Sequence, residues 1–170
     1  DIWALRQPGA ERVIAAHPAC GVCLMHMHRE PQTMQMQTMT GDVLVEVIEF
    51  LKRRVESLTA EGIASSRLML DPGIGFGKTV AQNFQLLARQ ADLLSLGYPV
   101  LAGWSRKSSL GAVLSENGQI PEPAQRLAAS VAAALLAVDR GACVVRVHDV
   151  KPTVDAIKVW QAMRPHIGDD

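Results

Sequence analysis

The chain has 170 residues, 17 basic against 17 acidic side chains, and a hydrophobic fraction of 48%. That suffices for one packed domain and excludes bulk charge as the means of holding nucleic acid or a membrane surface. The longest uncharged apolar run, residues 127 to 138, falls short of the roughly 20 residues that span a bilayer and reads as a buried, Ala-rich helix.

In chain order, Pro8-Gly9 precedes a helix over 10–16, and residues 20–27 form an apolar run of strand length. Cys20, Cys23 and Cys143 are odd in number; Cys20-Gly-Val-Cys23 matches C-x-x-C without a second pair, so buried thiols in a reducing compartment are expected. Residues 29–41 read as a polar loop. Over 42–61, Val43, Val47, Ile48, Leu51, Val55 and Leu58 recur at helical spacing. Residues 68–71 read as a strand, 81–96 as a helix and 100–104 as a strand. A broken helical region over 110–114, an Ala-rich helix over 124–140, a strand over 142–147 and a helix over 153–163 complete the series.

Strands alternating with helices call for a parallel sheet. Four such repeats are half of an eight-fold barrel, which needs roughly 250 residues, and an open doubly wound sheet is the rival. Asp71, Lys107 and His148 fall at or just past the carboxyl ends of successive strands, where barrels collect their chemistry.

The most informative stretch is Leu70-Asp71-Pro72-Gly73-Ile74-Gly75-Phe76-Gly77-Lys78-Thr79. Pro72 ends a ladder, leaving a carboxylate at a strand exit, and three alternating glycines let backbone approach a planar ligand beside Phe76. The Walker pattern fails by one position, because Pro72 stands where its leading glycine belongs. The dinucleotide fingerprint fails at Lys78. A bare strand-to-helix turn remains the alternative.

On the last strand, period-two geometry places Arg146 and His148 on one face, toward a lumen if Val145 and Val147 pack under helices. Pairing of Arg146 with Asp149 or a helix carboxylate is the competing expectation. Ser105-Arg106-Lys107-Ser108 reads either as a helix start capped by Ser105 or as a cationic pair awaiting an anion. His26 and His28 form H-x-H at a strand end, the pattern of a metal-dependent barrel hydrolase if Asp71 and His148 complete the set.

Taken together, Met25-His26-Met27 with Glu30-Pro31-Gln32-Thr33-Met34-Gln35, the Asp71-to-Lys78 loop, Gly103 with Ser105-Arg106-Lys107-Ser108, and Arg146-Val147-His148-Asp149-Val150 resemble the dihydropteroate synthases in order and spacing. The resemblance implies a (β/α)8 TIM barrel of which residues 1–170 form the carboxyl-terminal half, strands 5 to 8 with their helices. It implies a cytoplasmic transferase of folate biosynthesis, a sulfonamide target, joining 4-aminobenzoate to 6-hydroxymethyl-7,8-dihydropterin pyrophosphate.

By that resemblance Asp71, Lys107, Arg146, Met25 and Gly103 receive the pterin, and Asp71, Lys107 and Arg146 carry the catalysis. Arg146 and His148 face pyrophosphate, and Phe76, Lys107 and Ser108 line the aminobenzoate site. Mg2+ is expected mainly on the substrate pyrophosphate and on a residue outside these 170, with no metal ligand of their own. Homodimerisation of the full-length protein is also implied. The family usually carries glycine where Arg29 stands, and its first-half loops are not among these residues. The expectation is therefore that this polypeptide alone is not a competent enzyme, and a stand-alone pterin-binding module is the further alternative.

Overall fold

The computed structural model describes residues 1–29 and 39–166. The Glu30-to-Gln35 motif lies outside the described residues. Four strands, β1 (Val22–Met25), β2 (Leu68–Asp71), β3 (Val100–Ala102) and β4 (Ala142–Val145), form one parallel sheet in the order β1-β2-β3-β4. Sequential order without reversal leaves no switch point of the doubly wound kind; it is the order of a barrel wall. The fold is thus α/β of the TIM-barrel family.

Helices α1 (Ala10–Ala16), α2 (Val43–Ala60), α3 (Val80–Ala88), α4 (Ser108–Val113), α5 (Leu127–Asp139) and α6 (Val150–Met163) occupy the connections. Asp42 starts α2 by accepting from the N–H groups of Leu44 and Val45, at 2.9 and 3.4 Å. The apolar stripe of α2 (Val43, Val47, Leu51, Val55, Leu58) is buried against Leu24, Leu68 and Leu70 of the strands. Truncating a leucine such as Leu70 to alanine in this setting costs about 2–5 kcal/mol.

Three expected boundaries shift. Residues 81–96 are not one helix: α3 ends at Ala88, and 90–96 tighten into a 3-10 turn that Gly97 stops in the left-handed conformation, φ 76°. Buried Gln90 draws that segment to α5, its Nε2 donating to the carbonyls of Ala137 and Arg140 at 2.8 and 3.3 Å. The expected helix over 124–140 starts late: residues 123–126 form another 3-10 turn before α5 because the proline opens it. The outer strands are shorter than their apolar runs. Arg67 takes the carbonyl of Cys20 at 2.9 Å, so β1 starts only at Val22. The thiols are free but not buried as expected: Cys20 precedes β1 and Cys143 lies on the edge strand β4, both exposed, with Cys23 half-buried.

The register of the strands brings their carboxyl ends level. Met25 sits opposite Asp71, the N–H of His26 donates to the Asp71 carbonyl at 3.0 Å, and that of Arg146 to the Ala102 carbonyl at 3.0 Å. The strand ends therefore lie side by side, and their loops open on the same rim.

Candidate active site

Asp71 is buried at the end of β2, 6% exposed. Its Oδ1 accepts the Gly73 N–H at 2.7 Å. Burial raises its pKa above the ordinary value, partly offset by the Gly73 N–H and by the charges of Lys107, Arg146 and Lys78. An acid with those cations around it, and a second oxygen not taken by the loop, suits a ligand edge that offers N–H donors.

The loop bends back because Gly73 adopts φ 69°, and a Cβ there would stand 1.8 Å from the His26 carbonyl oxygen. Gly75 and Gly77 are left-handed as well. Asn83 of α3 accepts the Gly75 N–H at 2.8 Å and donates to Ser109 Oγ at 2.9 Å. Phe76 lies under Lys107, whose Nζ is 4.3 Å from the ring centroid, a cation–π contact. Lys107 is lowered from its ordinary pKa by burial, then by Arg146, against the pull of Asp71.

Arg146 leaves β4 with its guanidinium across Gly103, where a Cβ would come within 3.1 Å of Nη2. A side chain there would press the guanidinium back by a few tenths of an ångström. Among the described residues the Arg146 guanidinium has no hydrogen-bond or ion-pair partner, so the competing alternative, pairing with Asp149, does not occur: Asp149 takes Arg106 instead. Arg146 and Lys107, with Gly103, Ser105, Arg106, Pro123 and His148, line a cavity of about 370 Å³. Asp71 is not part of that lining, but it lies near enough for the charges of Lys107 and Arg146 to act on its carboxyl, with Met25 opposite it in the strand register.

Ser105 does not cap α4. The helix begins at Ser108 with Lys107 at its N-cap and no side-chain cap bond. Ser105 Oγ instead accepts the His148 N–H at 3.1 Å and lies 2.9 Å from His148 Nδ1, which fixes the imidazole at the rim. Ser108 is exposed at the same rim.

The histidine pair of the hydrolase alternative is not assembled. His26 is 5% exposed and meets Lys78 Nζ at 2.9 Å through Nδ1; burial, with the charges of Lys78, His28 and Arg6, depresses its pKa to about 2. Among the described residues no three His, Cys, Asp or Glu side chains gather to hold a metal.

Sequence reasoning passes over several residues that position this cup. Lys78 is visible as the residue after the glycines, in failed phosphate motifs and at the end of the family loop, but no role attaches to it there. Arg126, 9% exposed, donates from Nη1 to the Arg106 carbonyl and from Nε to the Pro121 carbonyl, both at 2.9 Å. Ser130 of α5 accepts the Arg106 N–H at 2.9 Å. Neither sits in a motif, and no sequence signal marks them.

Residues 1–148 match the family described as pterin binding enzyme. The chain belongs to that family. It is 46% identical over 164 residues to a dihydropteroate synthase of Neisseria meningitidis serogroup C, an alignment covering 96% of this chain and 56% of that protein. Among solved structures, dihydropteroate synthase from Stenotrophomonas maltophilia with active site-bound imidazole superposes with a TM-score of 0.92 at 49% identity, covering 99% of this chain and 62% of the other. The Xanthomonas albilineans enzyme in complex with 7,8-dihydropteroate gives a TM-score of 0.86 at 48% identity, covering 96% and 58%. This pterin binding enzyme chain spans somewhat more than half the length of the curated relatives it matches.

Proposed function

We propose that residues 1–170 form the carboxyl-terminal half of a dihydropteroate synthase barrel and supply its pterin-receiving floor. The observation that carries the reading is the buried Asp71 carboxyl within electrostatic reach of Lys107 and Arg146, which themselves line one cavity. The likeness to relatives named dihydropteroate synthase, one of them solved with 7,8-dihydropteroate, supports it.

In this reading the guanidine-like edge of 6-hydroxymethyl-7,8-dihydropterin pyrophosphate donates to Asp71, and the ring lies along Met25 and Gly103 between Lys107 and Arg146. The methylene carbon–oxygen bond breaks, and its electron pair leaves with pyrophosphate toward Arg146 and His148. Asp71 stabilises positive charge developing on the ring, and Arg146 as a cation with His148 as a hydrogen-bonding group stabilises the departing anion. The amine of 4-aminobenzoate, held along Phe76, Lys107 and Ser108, forms the carbon–nitrogen bond and gives up a proton to solvent. Positioning supplies most of what a weak aniline nucleophile needs. No covalent enzyme intermediate is required.

The described residues do not fit a resident magnesium ion. The charged groups lining the cavity are Lys107, Arg146 and Arg106, which repel a divalent cation, and no carboxylate is among its lining, so a magnesium ion would enter only on pyrophosphate oxygens. Pairing of two full-length copies through α5 and α6 belongs to the same proposal; exposed Leu136, Val154, Val159 and Met163 are apolar surface such pairing would cover. So does residence in the cytoplasm.

The test is pyrophosphate release by the full-length protein given both substrates. Release that requires aminobenzoate supports the transferase. Pterin binding without release supports the module that binds and does not catalyse, and neither activity overturns both.

A further inference from the structure

Lys78 is 4% exposed, and lysine is almost never buried that far unless its donors are satisfied. Its ammonium meets three acceptors: the Gly73 carbonyl at 2.9 Å, the Phe76 carbonyl at 3.2 Å and His26 Nδ1 at 2.9 Å. Three donors thus find three acceptors, and Nδ1 as acceptor leaves His26 a neutral ring, packed T-shaped against Phe50 with the ring centroids 5.0 Å apart. An apolar side chain of equal length would fill the same space without the desolvation cost that lowers the Lys78 pKa to about 7. The amine is accounted for by the groups it holds.

Those groups belong to a loop with little stiffness of its own. Gly73, Gly75 and Gly77 all adopt left-handed φ, at 69°, 83° and 72°. Each ordered glycine loses more backbone freedom than any other residue. Other ties act on single points: Asp71 on the Gly73 N–H, Asn83 on the Gly75 N–H, the Met39 N–H on the Gly77 carbonyl at 3.1 Å, the Phe76 N–H on the Gly73 carbonyl at 3.1 Å, and the His28 N–H on the Phe76 carbonyl at a long 3.4 Å. Lys78 grips two carbonyls of the loop and the end of β1 together, and one of those carbonyls belongs to Phe76, whose ring carries the contact with Lys107.

We propose that Lys78 is a positioning residue that fixes Phe76 beneath Lys107 and so sets the aminobenzoate side of the cup, acting through the loop carbonyls and touching neither substrate. Asp71 is held in place by β2 and by the Gly73 N–H, and among the groups acting on its carboxyl the Lys78 charge ranks behind the Gly73 N–H, Lys107 and Arg146, so the pterin side depends on Lys78 less than the loop does. The inference rests on the transferase reading and adds a division of labour to it: β2 serves one substrate and the lysine-clamped loop the other.

The experiment compares wild type, Lys78→Met and Lys78→Gln of the full-length protein by steady-state kinetics in both substrates, with thermal unfolding alongside. Displacing Phe76 by a fraction of an ångström raises KM for aminobenzoate about tenfold in Lys78→Met, with kcat and the pterin KM within about threefold of wild type. Lys78→Gln, which keeps an N–H pair, falls between. If Lys78→Met does not fold, a selective aminobenzoate defect in Lys78→Gln still supports the role. Equal rises in both KM values, no change in either, or a Gln variant no better than Met overturns it. Wild type that releases no pyrophosphate in the presence of aminobenzoate overturns the transferase reading itself, and this inference with it.

Discussion

Arg106 and Asp149 meet in a two-pronged ion pair, Nη2 to Oδ1 at 2.8 Å and Nε to Oδ2 at 3.1 Å, that joins the loop after β3 to the start of α6. Arg106 holds φ 60°, a conformation that costs a non-glycine residue about 1–2 kcal/mol. Ser130 on its N–H and Arg126 on its carbonyl hold it there. The pair stands between Lys107 on one loop and His148 on the other, so their spacing depends on it.

Arg106→Lys keeps the charge but loses the planar fork. The expected result is a fall in kcat/KM of the full-length protein by roughly tenfold to a hundredfold, the cost of a misplacement near 1 Å, with the fold retained. The pair also has a pH signature. Arg106 holds the Asp149 pKa below its ordinary value of 3.8, so this contribution to stability is full above 3.8 and is lost as pH falls through the lower folded value. Acid unfolding followed by circular dichroism should therefore start at higher pH in Arg106→Lys; coincident curves would show that the pair does not couple to folding.

Asp71 behaves in the opposite sense. Burial raises its folded pKa, so the folded protein binds more protons than the unfolded chain between the two values, and unliganded stability declines as pH rises through that window. Asp71→Asn removes the buried charge. It should be at least as stable as wild type at neutral pH, yet bind a pterin about tenfold to a hundredfold more weakly, the worth of a charge-assisted hydrogen bond. Quenching of pterin fluorescence on titration measures this, and unchanged binding would remove Asp71 from the site.

Gly73→Ala meets both a left-handed φ of 69° and a backbone oxygen 1.8 Å from the new Cβ. Together these cost about 3–5 kcal/mol. Urea unfolding of the full-length protein reads the loss; a change below about 1 kcal/mol would mean that the loop rearranges easily.

Arg29 sits at φ 62°, where the resemblance to dihydropteroate synthases leads one to expect glycine. The departure from the family pattern thus leaves a left-handed arginine in place. Arg29→Gly should stabilise the protein by up to about 1 kcal/mol, the left-handed strain less the greater chain entropy of glycine. A loss of stability would assign the guanidinium a contact of its own.

Much of this molecule is legible in one dimension. The stripe of α2, from Val43 to Leu58, comes from helical spacing, and β2 with Asp71 at its exit comes from an apolar run stopped by Pro72. Motif order supplies the family. These features are local: a few neighbouring residues and the backbone's two periodicities determine them.

The features that only tertiary structure decided lie between segments. That Asp149 takes Arg106 and leaves Arg146 open, that Ser105 serves His148 and not a helix end, and that Lys78 turns back onto His26 all depend on which strand ends become neighbours. The sheet order β1-β2-β3-β4 and its register bring those ends together. A polar side chain can select its partner only after folding has excluded water and fixed the distances. Residue order alone specifies the candidates, and packing chooses among them.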